Sequence, residues 1–152
     1  MTRILMKAAI AAVGALLLAG PALAAENWPD SFDQYMAKAR GSISSINADA
    51  FYEVVKSPGN TLIVDVREPD EFASGHIPGA ISIPRGLLEF RVWKVLGHPS
   101  AIDYNRKIVV YCLSGGRATL ATRQLKELGF TNAIAVAMPL SEWQQKNYPL
   151  VK

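Results

Sequence analysis

Residues 108–117 have the sequence IVVYCLSGGR, and the rest of the fold is organised around this stretch. The apolar run over residues 108–111 predicts a buried β-strand. Apolar residues then recur at helical spacing and predict a helix over residues 118–128. Cys112, which is the only cysteine of the chain, is therefore expected at a strand-to-helix turn.

The turn around Cys112 contains Gly115 and Gly116, which allow backbone conformations closed to other residues. Successive N–H groups in such a loop converge on one point, and the start of a helix adds partial positive charge. Both effects favour the thiolate, which is a nucleophile. The opposing interpretation is an inert, buried small side chain, which is the common role of a single cysteine.

The N-terminus has the pattern of a secretory signal peptide. Arg3 and Lys7 are followed by an apolar run over residues 8–19, and Ala22, Leu23 and Ala24 match a small-x-small cleavage site. The run is short for a membrane span, so we expect cleavage after Ala24 rather than a membrane anchor. The expected location is the periplasm, with no membrane attachment after cleavage.

The charge balance excludes a nucleic-acid partner. The chain has 16 Lys and Arg against 13 Asp and Glu, for a net charge of +3. Loss of residues 1–24 removes two basic residues and no acidic one, which leaves 14 basic against 13 acidic residues. No basic stripe remains to bind a phosphate backbone.

Predicted strands and helices alternate along the chain after residue 24. A continuous β-branched run over residues 61–66 indicates a parallel strand covered on both faces. The other predicted strands are 42–46, 80–83, 108–111 and 131–137, and the predicted helices are 29–41, 47–56, 69–74, 86–96, 118–128 and 139–147. This order predicts an α/β domain with a mostly parallel five-stranded sheet and helices on both faces. The predicted organisation is a signal peptide (1–24), an N-terminal helical extension (25–42) and one domain (43–151).

Two helices have informative apolar faces. Phe32, Tyr35, Met36 and Ala39 mark one face of the first helix, which favours a helix folded across the domain over one that docks a partner. Apolar residues of the 86–96 helix cover more than one face. That helix is either deeply buried or lines a pocket or contact surface.

Several motifs together resemble the rhodanese family of sulfurtransferases. They are DVREPDEF at residues 65–72, GHIPGA at 75–80, VYCLSGGR at 110–117, Leu125 with Gly129-Phe130, and Trp143 followed by Tyr148-Pro149. The similarity extends over residues 43–151. It implies a single rhodanese domain that takes a sulfane sulfur from a small anionic donor such as thiosulfate and passes it to cyanide, a thiol or a partner protein's thiol.

The resemblance also implies site residues. Cys112 is the expected nucleophile, which carries the sulfur as a persulfide, and no metal or organic cofactor is expected. The expected substrate-binding loop that surrounds the sulfur consists of Leu113, Ser114, Gly115, Gly116, Arg117 and Ala118. Arg117 has two interpretations, of which anion binding is favoured over an ion pair with Glu71. Asp65, Arg67 and His76 are expected to hold loops together, and His98 to have no chemical role.

Two positions depart from the family pattern. Many relatives that use thiosulfate have a cation at the position of Ser114, and relatives tend to have Gly-Gly where this chain has Met138-Pro139. Ser114 supplies a hydrogen bond without charge, and Met138 adds bulk near the pocket mouth. The missing charge could come from Arg85, Arg91 or Lys94 if the 86–96 helix borders the site.

Three other functions are alternatives to persulfide-based sulfur transfer to small molecules. A non-catalytic rhodanese-fold binding module would leave Cys112 with ordinary reactivity. A persulfide relay would have the same chemistry with a protein thiol as acceptor. Phosphatase chemistry is disfavoured because related phosphatases have one residue more than the four that separate Cys112 from Arg117.

Overall fold

The computed structural model describes residues 28–152, so the predicted signal peptide lies outside the described part of the chain. The described chain forms five β-strands and six α-helices. In chain order they are α1 (Asp30–Gly41), β1 (Ser44–Ile46), α2 (Ala48–Lys56), β2 (Leu62–Asp65), α3 (Pro69–Ser74), β3 (Ala80–Ser82), α4 (Leu88–Val95), β4 (Ile108–Tyr111), α5 (Gly116–Glu127), β5 (Ala133–Val136) and α6 (Leu140–Gln145).

The five strands form one sheet in the spatial order β1-β5-β4-β2-β3. Every neighbouring pair is parallel, which confirms the predicted α/β class with a five-stranded sheet. The chain proceeds from β2 to β3 on one side of the sheet and from β4 to β5 on the other. The carboxyl ends of β2 and β4 therefore border a topological switch point, where ligands of open α/β sheets bind.

Helices cover both faces of the sheet because alternate strand residues point in opposite directions. Val64 and Val110 belong to the hydrophobic cluster under α4 and α5. Ile63 and Val109 belong to a second cluster, under α2 and α6, whose largest member is Trp143. β2 and β4 are thus buried on both faces, as their continuous apolar runs predict.

Helix α1 packs on the outside of α5 and lies against the domain body. It buries only Met36 and Ala39, whereas Phe32 and Tyr35 remain partly exposed. The apolar face predicted for this helix is therefore only half buried. The reason is that α1 packs on a helix and not on the sheet.

The predicted 86–96 helix begins differently from the expectation. A 3-10 turn, Arg85–Leu87, precedes α4. Leu88 and Val92 of α4 are buried, but Phe90 is 79 % exposed. Some of the apolar residues of this helix therefore lie on the protein surface. No helix within residues 28–152 is long and apolar enough to cross a membrane.

Candidate active site

Cys112 follows β4 directly and its side chain is only 2 % exposed. Its Sγ accepts hydrogen bonds from two backbone N–H groups, that of Gly115 at 3.2 Å and that of Ala118 at 3.4 Å. The sulfur is therefore directed toward the amides of the following loop and is not enclosed by hydrocarbon alone. Donors in this arrangement stabilise negative charge on the sulfur.

Gly115 makes this arrangement possible. Its φ of +88° lies in the left-handed region, and it is the residue that precedes α5. The sharp turn lets α5 begin at Gly116, two residues earlier than predicted. Ala118 consequently lies in the first turn of α5, where backbone N–H groups have no partner within the helix and one of them binds the sulfur.

Further N–H groups of the loop remain available. Those of Ser114, Gly116 and Arg117 have no hydrogen-bond acceptor within the part of the chain that the structure describes. The carbonyl of Leu113 accepts a hydrogen bond from the Leu140 N–H at 2.8 Å, which ties the loop to the start of α6. The loop is thus fixed at one carbonyl and has three N–H donors that no acceptor in the described chain engages.

A buried ion pair fixes the chain at the end of β2. Arg67 donates to Asp65 through Nε and Nη2, at 2.9 and 2.7 Å from Oδ2, and its Nη2 also donates to the Gly75 carbonyl at 2.8 Å. Burial opposes the charge on Arg67, but the hydrogen bond and charge of Asp65 outweigh burial and raise the pKa of Arg67. The bond from Arg67 to the Gly75 carbonyl joins the end of β2 to the loop after α3, which is the structural role that the sequence predicted.

The loop that carries His76 is fastened by its neighbours. The His76 ring stacks on Phe72 with centroids 3.8 Å apart, and its Nδ1 lies 3.2 Å from the Phe72 carbonyl oxygen. The Tyr111 hydroxyl accepts the Ile77 N–H at 3.0 Å, and burial raises the pKa of Tyr111. These contacts join the loop to α3 and β4, so His76 has a structural role in the loop.

Arg117 forms a two-pronged ion pair with Glu71. Its Nη1 and Nη2 lie 2.6 and 2.8 Å from the two carboxylate oxygens. The hydrogen bond from Arg117 lowers the pKa of Glu71 to about 2, partial burial opposes this shift, and the Glu68 N–H supports it. The same hydrogen bond raises the pKa of Arg117. The structure thus shows the ion pair that the sequence analysis gave as the alternative to anion binding by Arg117.

None of the cations suggested as replacements for the missing loop charge lines a cleft that reaches Ser114. Arg85 pairs with Glu89 at 2.8 Å. Arg91 is exposed on α4, and Lys94 lines a separate cleft that also contains the exposed His98. Met138, in contrast, is buried and forms part of a cleft wall beside the loop.

Three clefts meet at Ser114, with volumes of about 270, 280 and 450 Å³. Two of them are also lined by Arg40, from the last turn of α1. Arg40 is a residue of these clefts that the sequence did not indicate, because nothing in the spacing of the N-terminal extension shows where that helix packs. No group of three or more His, Cys, Asp or Glu side chains within residues 28–152 is arranged to hold a metal ion.

The motifs, the sheet and the cysteine loop together define a rhodanese-type domain, and comparison with known proteins agrees. The profile of the Rhodanese-like domain matches residues 47–146, and the chain belongs to this family. It is 35 % identical over 122 residues to thiosulfate sulfurtransferase 16 of Arabidopsis thaliana chloroplasts, covering 75 % of this chain and 98 % of that protein.

Two further similarities concern chain length and fold. A Bacillus subtilis protein named as a candidate sulfur carrier is 33 % identical over 113 residues, which cover 74 % of this chain but only 57 % of that protein. A solved structure from Rhodopseudomonas palustris, of unknown function and described as a possible tyrosine phosphatase, superposes with a TM-score of 0.68. It is 25 % identical, and the match covers 84 % of this chain and 98 % of that one.

Proposed function

We propose that the protein is a sulfurtransferase that moves a sulfane sulfur from an anionic donor such as thiosulfate to cyanide or a thiol through a persulfide on Cys112. The observation that supports this most directly is the pair of backbone N–H groups on Sγ at the start of α5. Hydrogen bonds from these donors stabilise negative charge on the sulfur, which both the attacking thiolate and the persulfide carry. Family membership and the names of relatives point to the same chemistry.

The first step transfers sulfur to the protein. The Cys112 thiolate attacks the outer sulfur of thiosulfate, a bond forms between the two sulfurs, and the donor's S–S bond breaks. Sulfite leaves with the electron pair of the broken bond. The persulfide that remains is itself an anion, and we assign its stabilisation to the unused N–H groups of Ser114, Gly116 and Arg117.

The second step returns the protein to its starting state. Cyanide attacks the outer persulfide sulfur, thiocyanate leaves, and the electron pair of the broken S–S bond stays on Cys112. A thiolate acceptor would react in the same way and carry the sulfur away as its own persulfide. A partner protein's thiol can occupy this role, which is the relay version of the proposal.

Mass spectrometry of the purified protein tests the proposal. After incubation with thiosulfate, we expect one added sulfur atom on Cys112, and then thiocyanate on addition of cyanide. Cys112→Ser should abolish both signals, whereas His98→Ala, at an exposed position away from the loop, should leave both intact. Absence of the adduct with thiosulfate, polysulfide and an alkyl persulfide alike would refute the proposal.

A binding module is the second candidate, and the surface on α4 favours it. Phe90 is strongly exposed there and lines a cleft of about 750 Å³ with Trp93, Ile102 and Tyr104. A module of this kind predicts that Cys112 reacts with alkylating reagents no faster than a cysteine in an unstructured peptide. A comparison of the alkylation rate of Cys112 with that of such a peptide therefore separates the binding module from the enzyme.

A phosphatase reaction is also testable, given the similarity to a possible tyrosine phosphatase. Four residues separate Cys112 from Arg117, one fewer than in related phosphatases, and Arg117 is engaged by Glu71. We therefore expect no hydrolysis of p-nitrophenyl phosphate by a preparation that forms the persulfide.

We propose that the protein acts in the periplasm. The support is the basic, apolar and small-residue pattern of residues 1–24. The expected result is a mature protein whose N-terminus is Ala25 and which is released with the periplasmic fraction. An intact N-terminus in the cytoplasmic fraction would contradict it.

A further inference from the structure

An anionic sulfur donor needs positive charge next to the Cys112 loop, and the two nearby arginines of the family motifs are already engaged. Arg67 is buried against Asp65 and the Gly75 carbonyl. Arg117 is held by both oxygens of Glu71. Ser114 carries no charge, so residues 65–117 provide no uncommitted cation in the clefts beside the loop.

Arg40 supplies such a cation from outside this region. It lies in the last turn of α1, its side chain is exposed, and it forms no ion pair within residues 28–152. The packing of α1 on α5 places it in the same cleft as Ser114 and Gly115. Since the family profile begins at residue 47, a comparison with relatives over the matched region does not assign this residue.

The composition of this cleft suits a small anion. Its volume is about 270 Å³, and no acidic residue lines it. Ser45 and Ser114 line it, and their hydroxyls have no hydrogen-bond partner in the described chain, whereas the Thr119 hydroxyl donates to the Gly115 carbonyl. The cleft and the sulfur site share a wall, because Gly115 lines the cleft and donates its N–H to Sγ.

The two neighbouring clefts are less suitable. The one of about 450 Å³ contains a single charged residue, the engaged Arg67. The one of about 280 Å³ also has Arg40 on its wall, but Asp33 lies there as well and would repel an anion.

We propose that Arg40 and the Ser114 hydroxyl bind the charged end of the anionic sulfur donor in the 270 Å³ cleft, and that Arg40 replaces the cation missing from the loop. This inference rests on the proposed sulfurtransferase function. It makes Arg40 a specificity-determining residue, which raises the affinity for anionic over neutral reagents and leaves the reactivity of the thiol itself unchanged.

Alkylation by two reagents of the same chemistry tests the inference. In both cases the Cys112 thiolate attacks the CH₂ carbon and iodide leaves, but iodoacetate is an anion and iodoacetamide is neutral. For Arg40→Glu, we expect the iodoacetate rate to fall about fivefold at low salt and the iodoacetamide rate to stay constant. High salt should remove the difference.

Lys38→Glu is the matched control, because it makes the same charge change on the same helix. Lys38 lines a different cleft, with Arg123, Lys126 and Glu127. An equal loss of iodoacetate reactivity in both variants would overturn the inference, since net charge would then explain the effect. Slowing of both reagents by Arg40→Glu would overturn it as well, because the thiol itself would have changed.

Thiosulfate kinetics extend the test to the donor. For Arg40→Ala we expect KM to rise about fivefold with kcat nearly constant, and Arg40→Lys should restore most of the affinity. If the wild type forms no persulfide, the proposed function fails while the alkylation comparison still decides the role of Arg40. If the wild type forms it and Arg40→Ala leaves KM unchanged, the inference alone fails.

Discussion

Two arginine–carboxylate pairs fasten the loops around Cys112, and they differ in their exposure to water. In the Arg67–Asp65 pair the side chains are 3 % and 0 % exposed, and in the Arg117–Glu71 pair they are 32 % and 26 % exposed. Both arginines donate to their carboxylate through two guanidinium nitrogens. Geometry alone would therefore give the two pairs the same importance.

Their surroundings give them different roles. Loss of one partner from a buried pair leaves an uncompensated charge in the interior, which costs several kcal/mol. A pair at the rim is screened by water and ions and contributes about 1 kcal/mol or less. The Arg67–Asp65 pair therefore stabilises the chain at the end of β2. The Arg117–Glu71 pair connects the first turn of α5 to α3 and contributes less to stability.

The largest expected effect is that of Asp65→Asn. This change keeps the size of the side chain and leaves the buried Arg67 without a counter-charge, so we expect the free energy of unfolding to fall by about 3 kcal/mol. Urea unfolding followed by circular dichroism measures it. A loss below about 1 kcal/mol would show that the two pairs are equivalent after all.

A double variant keeps this test informative if Asp65→Asn alone does not fold. Arg67→Met added to Asp65→Asn removes the orphan charge and should recover part of the lost stability. If the double variant is less stable than the single one, the unpaired charge is not the cause of the loss.

The strands and helix caps of the domain could be predicted from the sequence because they depend on local patterns. The apolar runs at β2 and β4 indicated strands buried on both faces, and Asn47 caps α2 as its position predicts, with Oδ1 accepting the Ala50 N–H. The start of α5 was less accessible. The left-handed conformation of Gly115, which begins the helix early, occurs where the loop lies beside Val136 of β5 and Met138, and the local pattern does not indicate that approach.

The electrostatics of the site depended on tertiary placement. From the sequence, Arg117 could bind either an anionic ligand or Glu71. Only the packing of α3 beside the loop determines that Arg117 pairs with Glu71. Arg40 carried no signal at all, because its position relative to Ser114 depends on α1 packing on α5. Sequence patterns indicate which residues are charged, whereas the partner of each charge depends on contacts far apart in the chain.

Glu71→Gln should have the next largest effect, and its pH dependence distinguishes it from a packing change. At about pH 7 we expect a loss of about 1 kcal/mol in unfolding free energy. The pKa of Glu71 is about 2 in the folded protein, below the ordinary value of 4.5, so its contribution is present above pH 4.5 and is lost as pH falls toward 2. Unfolding curves of the two proteins should therefore converge over that range.

A stability difference that stays constant between pH 4.5 and 2 would contradict this explanation. The variant would then act through shape and not through the charge of Glu71. The Glu68 N–H, which also donates to the carboxylate at 2.9 Å, keeps an acceptor in the glutamine side chain, so the capping contact of α3 is not lost with the charge.

The smallest effect is expected for Arg123→Gln, which breaks a solvent-exposed pair farther along α5. Arg123 donates to Glu127 at 2.8 Å, and its guanidinium lies over the Tyr35 ring of α1. Together these contacts should stabilise the protein by about 0.5 kcal/mol. Because Arg123 and Arg117 share a helix but only Arg117 contacts α3 at the loop, persulfide formation should be unchanged in Arg123→Gln. If persulfide formation slows in Arg123→Gln, the stability of α5 as a whole affects the reaction, and contact with the Cys112 loop is not required for such an effect.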